Sequence, residues 1–241
     1  MNGILGVLGG MGPLATVDFF HKIVEETRVN VDQHHVPVII DSVPQIPCRV
    51  AAILSGGESP FPEMLAGLQR LEKAGAECAV IACNTAHFWY DELAAASGMP
   101  MLHIVDAVAE ELVRHDAMQK PVGLLATEAT LSAGIYQKRL ADRKADFLLL
   151  SPDERAELVL PAIAMVKQHK LEPAGRLLEK AIGLLQQRGA GACVLACTEL
   201  PVALAAVGSP LLSQSIDASR ALARASVRWS MRRRQEIAAS A

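Results

Sequence analysis

The 241-residue sequence contains no apolar run approaching the roughly 18 to 20 residues that cross a bilayer, so no membrane-spanning helix is expected. It also lacks the basic start of a signal peptide, because MNGILGVLGGMGP runs directly into a glycine loop. There is no strong excess of one charge: the formal net charge of −3 is too small to make nucleic acid the main partner. Arg228 and the run 232–234 are basic, but no aromatic platform accompanies them, and a solvated helix end is expected there. The five cysteines, Cys48, Cys78, Cys83, Cys193 and Cys197, are odd in number and mostly flanked by apolar residues, which is not a disulfide framework and suits a reducing compartment. Neither cysteine cluster has the two-residue gap of a zinc knuckle, and the adjacent His34 and His35 lack an evident third ligand. A GxGxxG fingerprint and a phosphate-binding GKS or GKT are absent too. These absences leave a cytoplasmic protein with a small-molecule site, without nucleic acid, membrane or metal.

What is present is an alternation. Short apolar runs at 4–8, 36–40, 79–82, 101–104, 122–125, 147–150, 194–196 and 211–212 read as strands buried on both faces. Between them, 13–28, 63–73 and 171–187 carry apolar residues at three- and four-residue intervals, as helices lying on a sheet do. The expected class is α/β with mainly parallel strands.

The sequence also repeats itself. Residues 75–83 read GAECAVIAC and residues 189–197 read GAGACVLAC, identical at five of nine positions. Leu71 and Leu185 precede them at the same offset, and each copy is followed by a proline, an apolar run and an aspartate, PMLHIVDA from 100 and PLLSQSIDA from 210. The opening segments GVLGG from Gly6 and GLLAT from Gly123 match more loosely. Three matches in one order predict two similar pseudo-symmetric lobes with the active site in the cleft between them. The first would comprise 1–103 plus 217–241, and the second 104–216.

Ligands of parallel sheets gather at the carboxyl ends of the strands, where the repeat puts Cys83 and Cys197. If the lobes face one another, two thiols flank one ligand, an arrangement that suits inversion at carbon: one removes a proton and the other delivers one to the opposite face. A free thiol near pKa 8.5 is only a few per cent thiolate at neutral pH, so the site must favour the anion. Each cysteine is expected to precede a helix, with Asn84 and Thr85, or Thr198 and Glu199, in capping range of its positive end. The glycine loop 6–13 either cradles a carboxylate with its peptide donors or simply makes a tight turn, with Pro13 starting a helix. His87 either tunes the Cys83 thiol or, the favoured reading, is solvated on the first turn of a helix. Glu199 either orients Cys197 or a substrate ammonium, or caps a helix. Cys78 and Cys193 read as packing residues within strands.

At these residues the sequence resembles the aspartate/glutamate racemase family, in its aspartate racemase branch, through GVLGGMGPLAT at 6–16, PQIPCR at 44–49, CNTAH at 83–87, LLATEAT at 124–130 and CTELP at 197–201. The likeness spans nearly the whole chain. It implies a cofactor-independent amino-acid racemase, needing neither pyridoxal phosphate nor metal and forming a homodimer, with Cys83 and Cys197 catalytic. It further implies that Asn84, Thr85, Thr127 and Thr198 bind the α-carboxylate and amino group, and that Arg49 and Lys167 hold a side-chain carboxylate, which favours aspartate. Met11, Gly12, Gln45 and Glu199 complete the implied substrate-binding set. The family pattern commonly reads PQIPDRT, whereas here Cys48 and Val50 replace an acid and a hydroxyl, so the departure bears on substrate preference.

Alternatives of the same fold are a hydantoin racemase, a maleate-type isomerase and a malonate decarboxylase. Decarboxylation needs one proton donor, so two matched cysteines favour racemisation. Acyl transfer by Cys83 with His87 leaves Cys197 unexplained, and a non-catalytic protein binding an acidic metabolite is the alternative from another class.

Overall fold

The computed structural model describes residues 3–143 and 145–240. The chain forms two compact units, one running to Ala107 and resuming at Ser219, the other spanning Val108–Ala218.

In the first unit the central strand β1 (Leu5–Gly9) is buried throughout and leads through the glycine loop into α1 (Pro13–Thr27), with proline in its first turn. Ala15, Phe19 and Ile23 recur at four-residue spacing and are buried; each of the two larger side chains contributes about 1.5–3 kcal/mol by leaving water. Next come β2 (Val38–Ser42), α2 (Arg49–Ser55), α3 (Phe61–Lys73) and β3 (Cys78–Ile81). The sheet order is β2-β1-β3, all parallel. After β3 come a 3-10 turn (Thr85–Trp89), α4 (Tyr90–Ala96) and α5 (Ile104–Arg114), within which the chain passes to the second unit.

The second unit contains β4 (Val122–Ala126), α6 (Glu128–Ser132), α7 (Ile135–Arg139), β5 (Phe147–Leu148) and α8 (Pro152–Glu154). A π-helical turn (Arg155–Val159) then leads into α9 (Leu160–Lys167), α10 (Leu171–Gln187), β6 (Ala192–Ala196), α11 (Glu199–Ala206) and β7 (Ser215–Asp217). Its sheet order is β5-β4-β6-β7, again parallel. The last helix, α12 (Ala218–Ala239), carries the chain back to the first unit. There Ser230 donates to the Gly3 carbonyl at 2.6 Å, while Arg220 and Arg224 pair with Glu26 of α1.

The internal repeat is present as a shared register. Leu5 pairs with Cys78 in the first sheet and Val122 with Ala192 in the second, which are equivalent positions of the two copies. Gly6 and Gly123, also equivalent, show why both copies need glycine: a Cβ would lie 2.9 Å from the Ala76 Cβ at Gly6 and 2.9 Å from the Cys193 Sγ at Gly123, and 3.3 Å from the Cβ of Leu71 or of Leu185. A side chain there would push the repeat's leucine helix off its sheet.

Four sequence expectations are corrected. The run 101–104 makes only a single parallel bridge, Met101 with Ala79, because Ile104 already starts α5. The pair 211–212 lies in a 3-10 turn begun by Pro210, and the strand falls at Ser215–Asp217 instead. β2 is an edge strand and is not buried on both faces; Ile40 is exposed. The basic run of the final helix is not merely solvated: Arg233 pairs with Glu77, and Arg234 donates to the carbonyls of His34 and His35.

Candidate active site

In the first unit the glycine loop, the loop before α2 and the end of β3 converge. Met11, Ile46 and Cys83 belong to one buried apolar cluster with Ala86 and Trp89. Gly10 sits at φ +85°, and a Cβ there would lie 2.4 Å from the Val43 backbone, so only glycine lets the two loops touch. The Gly10 N–H donates to the Thr16 hydroxyl at 2.9 Å, and that hydroxyl donates onward to the Gly12 carbonyl at 3.0 Å. This donor of the loop therefore serves the turn and is not aimed at a carboxylate. Gly12 is the residue preceding α1.

Arg49 opens α2, which packs against the 3-10 turn following Cys83. Its Nη1 donates to the Ile46 and Pro47 carbonyls at 2.8 and 2.7 Å, while its buried Nε has no hydrogen-bond partner. The guanidinium is thus held by its own loop at one corner. Gln45 is exposed in the preceding turn, and Cys48 is exposed just before the helix.

Cys83, Asn84 and Thr85 are all buried. The element after Cys83 is a short 3-10 turn and not an α-helix, and its N-cap residue Asn84 makes no side-chain cap hydrogen bond. His87 is also corrected: it is 4% exposed, not solvated. Its Nδ1 lies 2.9 Å from the Cys83 carbonyl oxygen, and its Nε2 accepts the Ile104 N–H at 3.1 Å. Both ring nitrogens meet backbone, which speaks against a thiol–imidazole pair for acyl transfer.

In the second unit, Ala126 pairs with Ala196, so Thr127 and Cys197 leave neighbouring strands side by side. The Thr127 hydroxyl accepts the Thr130 N–H at 3.2 Å and caps α6. Cys197, Thr198 and Glu199 are buried together. The Cys197 thiol donates to the Glu199 carboxylate at 3.0 Å, and the Thr198 hydroxyl donates to the same oxygen at 3.1 Å. Glu199 therefore touches the thiol itself, and Thr198 precedes α11 without a side-chain cap. Lys167 is exposed as the last residue of α9. Because α10 runs back toward the start of β6, its first turn, and Lys167 just before it, fall on the carboxyl-edge side of this sheet.

Three residues of this unit escaped the sequence reading. Tyr136 is fully buried; burial, and after it the charges of Cys197 and Asp217, push its hydroxyl pKa well above the ordinary value, so it remains a neutral phenol beside them. Arg155, on the π turn, forks onto Glu128 with two 3.0 Å bonds and donates to the Leu150 carbonyl at 2.6 Å, anchoring the residue next to Thr127. Only Asp217 carried a signal, as the aspartate ending the second repeat. Cys78 and Cys193 lie within strands, where burial raises their pKa values to about 12 and about 11. Among the described residues, no group of three or more His, Cys, Asp or Glu is arranged to hold a metal, and no helix is long and apolar enough to cross a membrane.

Comparison with known proteins places these features in a family. The Asp/Glu/Hydantoin racemase family matches residues 8–226. The aspartate racemase of Picrophilus torridus is 33% identical, with 94% of each chain covered and a TM-score of 0.82. The broad specificity amino-acid racemase RacX of Bacillus subtilis is 28% identical over 230 residues, 93% of this chain and 96% of the relative. The glutamate racemase of Campylobacter jejuni, 24% identical with 91% of this chain and 82% of the other covered and a TM-score of 0.61, shares the fold. With the family matched over most of its length and a relative above 30% identity across nearly all of both chains, the chain belongs to the Asp/Glu/Hydantoin racemase family.

Proposed function

We propose that the chain is a cofactor-independent amino-acid racemase that interconverts L- and D-aspartate by two-base proton transfer between Cys83 and Cys197. The observation that carries this reading is the repeat: two cysteines follow equivalent strands, in equivalent register, at the carboxyl edges of two parallel sheets. One thiolate takes the α-proton from one face of the carbon while the other thiol gives a proton to the opposite face, and the reverse reaction exchanges their roles. An α-proton is far less acidic than a thiol, so donors must stabilise the carbanion as it forms. Asn84, Thr85, Thr127 and Thr198, with the Met11–Gly12 and Gln45 loops, are the groups proposed to bind the α-carboxylate and ammonium. Glu199 positions the Cys197 proton.

Arg49, with Lys167, is proposed to hold the side-chain carboxylate; the unpartnered Nε of Arg49 supports an anionic substrate. A second reading, broad amino-acid specificity, is favoured by Cys48, which stands where the family pattern has an acid, and by the likeness to RacX. The odd number of cysteines, mostly flanked by apolar residues, supports a cytoplasmic setting. A homodimer is part of the proposal on the family likeness, and sedimentation velocity tests it.

The deciding experiment incubates the purified, cofactor-free protein with L-aspartate in deuterated water, beside Cys83→Ser and Cys197→Ser. Inversion with α-deuterium incorporation, lost in either variant, is the expected result. Exchange in neither enantiomer of aspartate, with inversion of neutral amino acids, would replace aspartate by the broad reading; no exchange with any amino acid would overturn the racemase.

A further inference from the structure

We propose that His87 is a positioning residue for Cys83: a neutral imidazole, protonated on Nδ1, that ties the carbonyl of the reactive cysteine to the amino end of α5. The inference rests on the reading of Cys83 as a proton-transfer group and assigns a part to a residue that the reaction itself leaves unused.

The proton's location follows from the partners. A carbonyl oxygen can only accept and a peptide N–H can only donate, so the nitrogen facing the Cys83 oxygen carries the hydrogen and the one facing Ile104 N–H carries the lone pair. The opposite tautomer would set a lone pair against an oxygen and a hydrogen against a hydrogen. A doubly protonated ring would still place two donors face to face at Ile104. With the ring 4% exposed, either mismatch would leave buried polar groups unsatisfied.

The neighbours of the ring make the tie rigid. Tyr90 stacks on it with centroids 5.8 Å apart and planes within 8°, and His103 meets it edge-on at 4.7 Å. Tyr90 donates its hydroxyl to the Met101 carbonyl at 2.7 Å, and His103 Nδ1 accepts the Val105 N–H at 3.0 Å. His87 and Tyr90 thus each bond residues 101–104 directly, while His103, whose own bond stays within that segment, packs its ring against both. This matters because Cys83 has no long helix behind it: a 3-10 turn of five residues follows, whose hydrogen-bond geometry is poorer than that of an α-helix. The peptide plane of Cys83, and with it the direction of its thiol, is then set by the ring and not by a helical ladder.

The test separates the two ends of the ring. In His87→Asn the amide sits where Nδ1 was and keeps the donor to Cys83; in His87→Gln it reaches the Nε2 position and keeps the acceptor for Ile104. Alkylation of Cys83 and Cys197 by iodoacetamide is followed by peptide mass spectrometry, with melting temperature, kcat and KM measured alongside. The expected result is a Cys83 alkylation rate shifted by about tenfold or more in the Gln variant, which loses the donor to Cys83, and by less in the Asn variant, which loses only the anchor at Ile104, with Cys197 unaffected in both. A misplaced reactive group costs up to about a hundredfold, so kcat should fall with the Cys83 change while KM moves little.

An unchanged Cys83 rate in a folded Gln variant, or equal changes at both thiols, would overturn the proposal. So would a ring of the wild-type protein carrying its hydrogen on Nε2, read from nitrogen-15 spectra, a measurement that needs no variant to fold. Alkylation and tautomer are independent of turnover, so a protein that racemises nothing would remove the proposed activity while these readouts still decide the role of His87.

Discussion

The Cys197 thiol and the Glu199 carboxylate lie 3.0 Å apart in a buried site, with the Thr198 hydroxyl donating to the same carboxylate oxygen. The thiol donates to that oxygen, so the carboxylate sets the direction in which the Cys197 S–H points. Glu199→Gln removes the charge and keeps the shape. Cys197 should then be alkylated faster at neutral pH, because its thiolate no longer faces an anion, while racemisation falls by about a hundredfold, the usual scale for a displaced proton-transfer group. Slower alkylation with unaltered turnover would show that the carboxylate is only a neighbour.

Arg49 is held at Nη1 by two carbonyls of its own loop, which fixes how the rest of the guanidinium is presented. Arg49→Lys retains the charge but cannot make both contacts and also reach an anion. Its KM for aspartate should rise by about 10- to 100-fold, the value of one charge-assisted hydrogen bond, with turnover of a neutral amino acid unchanged. Steady-state kinetics on aspartate and alanine checks this, and equal losses on both would move Arg49 out of side-chain recognition.

Gly6→Ala and Gly123→Ala address the repeat directly. Each adds a methyl group where the repeat's leucine helix already touches the sheet, an overpacking of about 1–3 kcal/mol. Chemical denaturation should report similar losses for the two changes, each lowering the melting temperature by about 2–4 °C per kcal/mol.

Cys78 and Cys193 should be silent toward iodoacetamide at pH 8 in the folded protein. With pKa values near 12 and 11, their thiolate fractions there are on the order of 10⁻⁴ and 10⁻³. Both shifts are upward from 9, so the stability linked to them is complete below pH 9 and declines as pH rises toward 11 and 12. Cys193→Ala should flatten the alkaline end of a stability–pH curve measured by urea titration.

At the acid end the sign reverses. Burial opposes ionisation of Glu26, but hydrogen bonds from Arg224 and Arg220 win and hold its carboxyl below 4.5. That stability is present above pH 4.5 and is lost as pH falls through the lowered value. Replacing Arg224 by alanine should reduce the acid sensitivity of α12 docking, followed by Trp229 fluorescence.

Much of the fold was legible because the chain states it twice. The matched segments foretold the equivalent register of β3 and β6, and the pattern of small residues foretold where the cysteines leave the strands. The failures are local ambiguities decided by context: two leucines after Pro210 read equally as strand or as a 3-10 turn, and Met101 keeps one bridge because α5 begins three residues later. Within the site, the neighbours Cys197, Thr198 and Glu199 could be grouped from the motif. His87, Tyr136 and Arg155 could not, since their partners lie 17 residues away at Ile104, on other strands, or 27 residues away at Glu128. Nothing in a local pattern distinguishes a histidine that bridges two peptides from one in water.

The route of the chain has a consequence for biosynthesis. Val108–Ala218 is one unbroken stretch, whereas the other unit is assembled from an early segment and from α12, whose Ser230 bonds to Gly3. On a ribosome the inserted unit can therefore complete its sheet while the first-made strands still await their closing helix. A nascent chain halted just before α12 would present a finished second unit beside an unsealed first one, open to chaperones and proteases until the final 22-residue helix arrives.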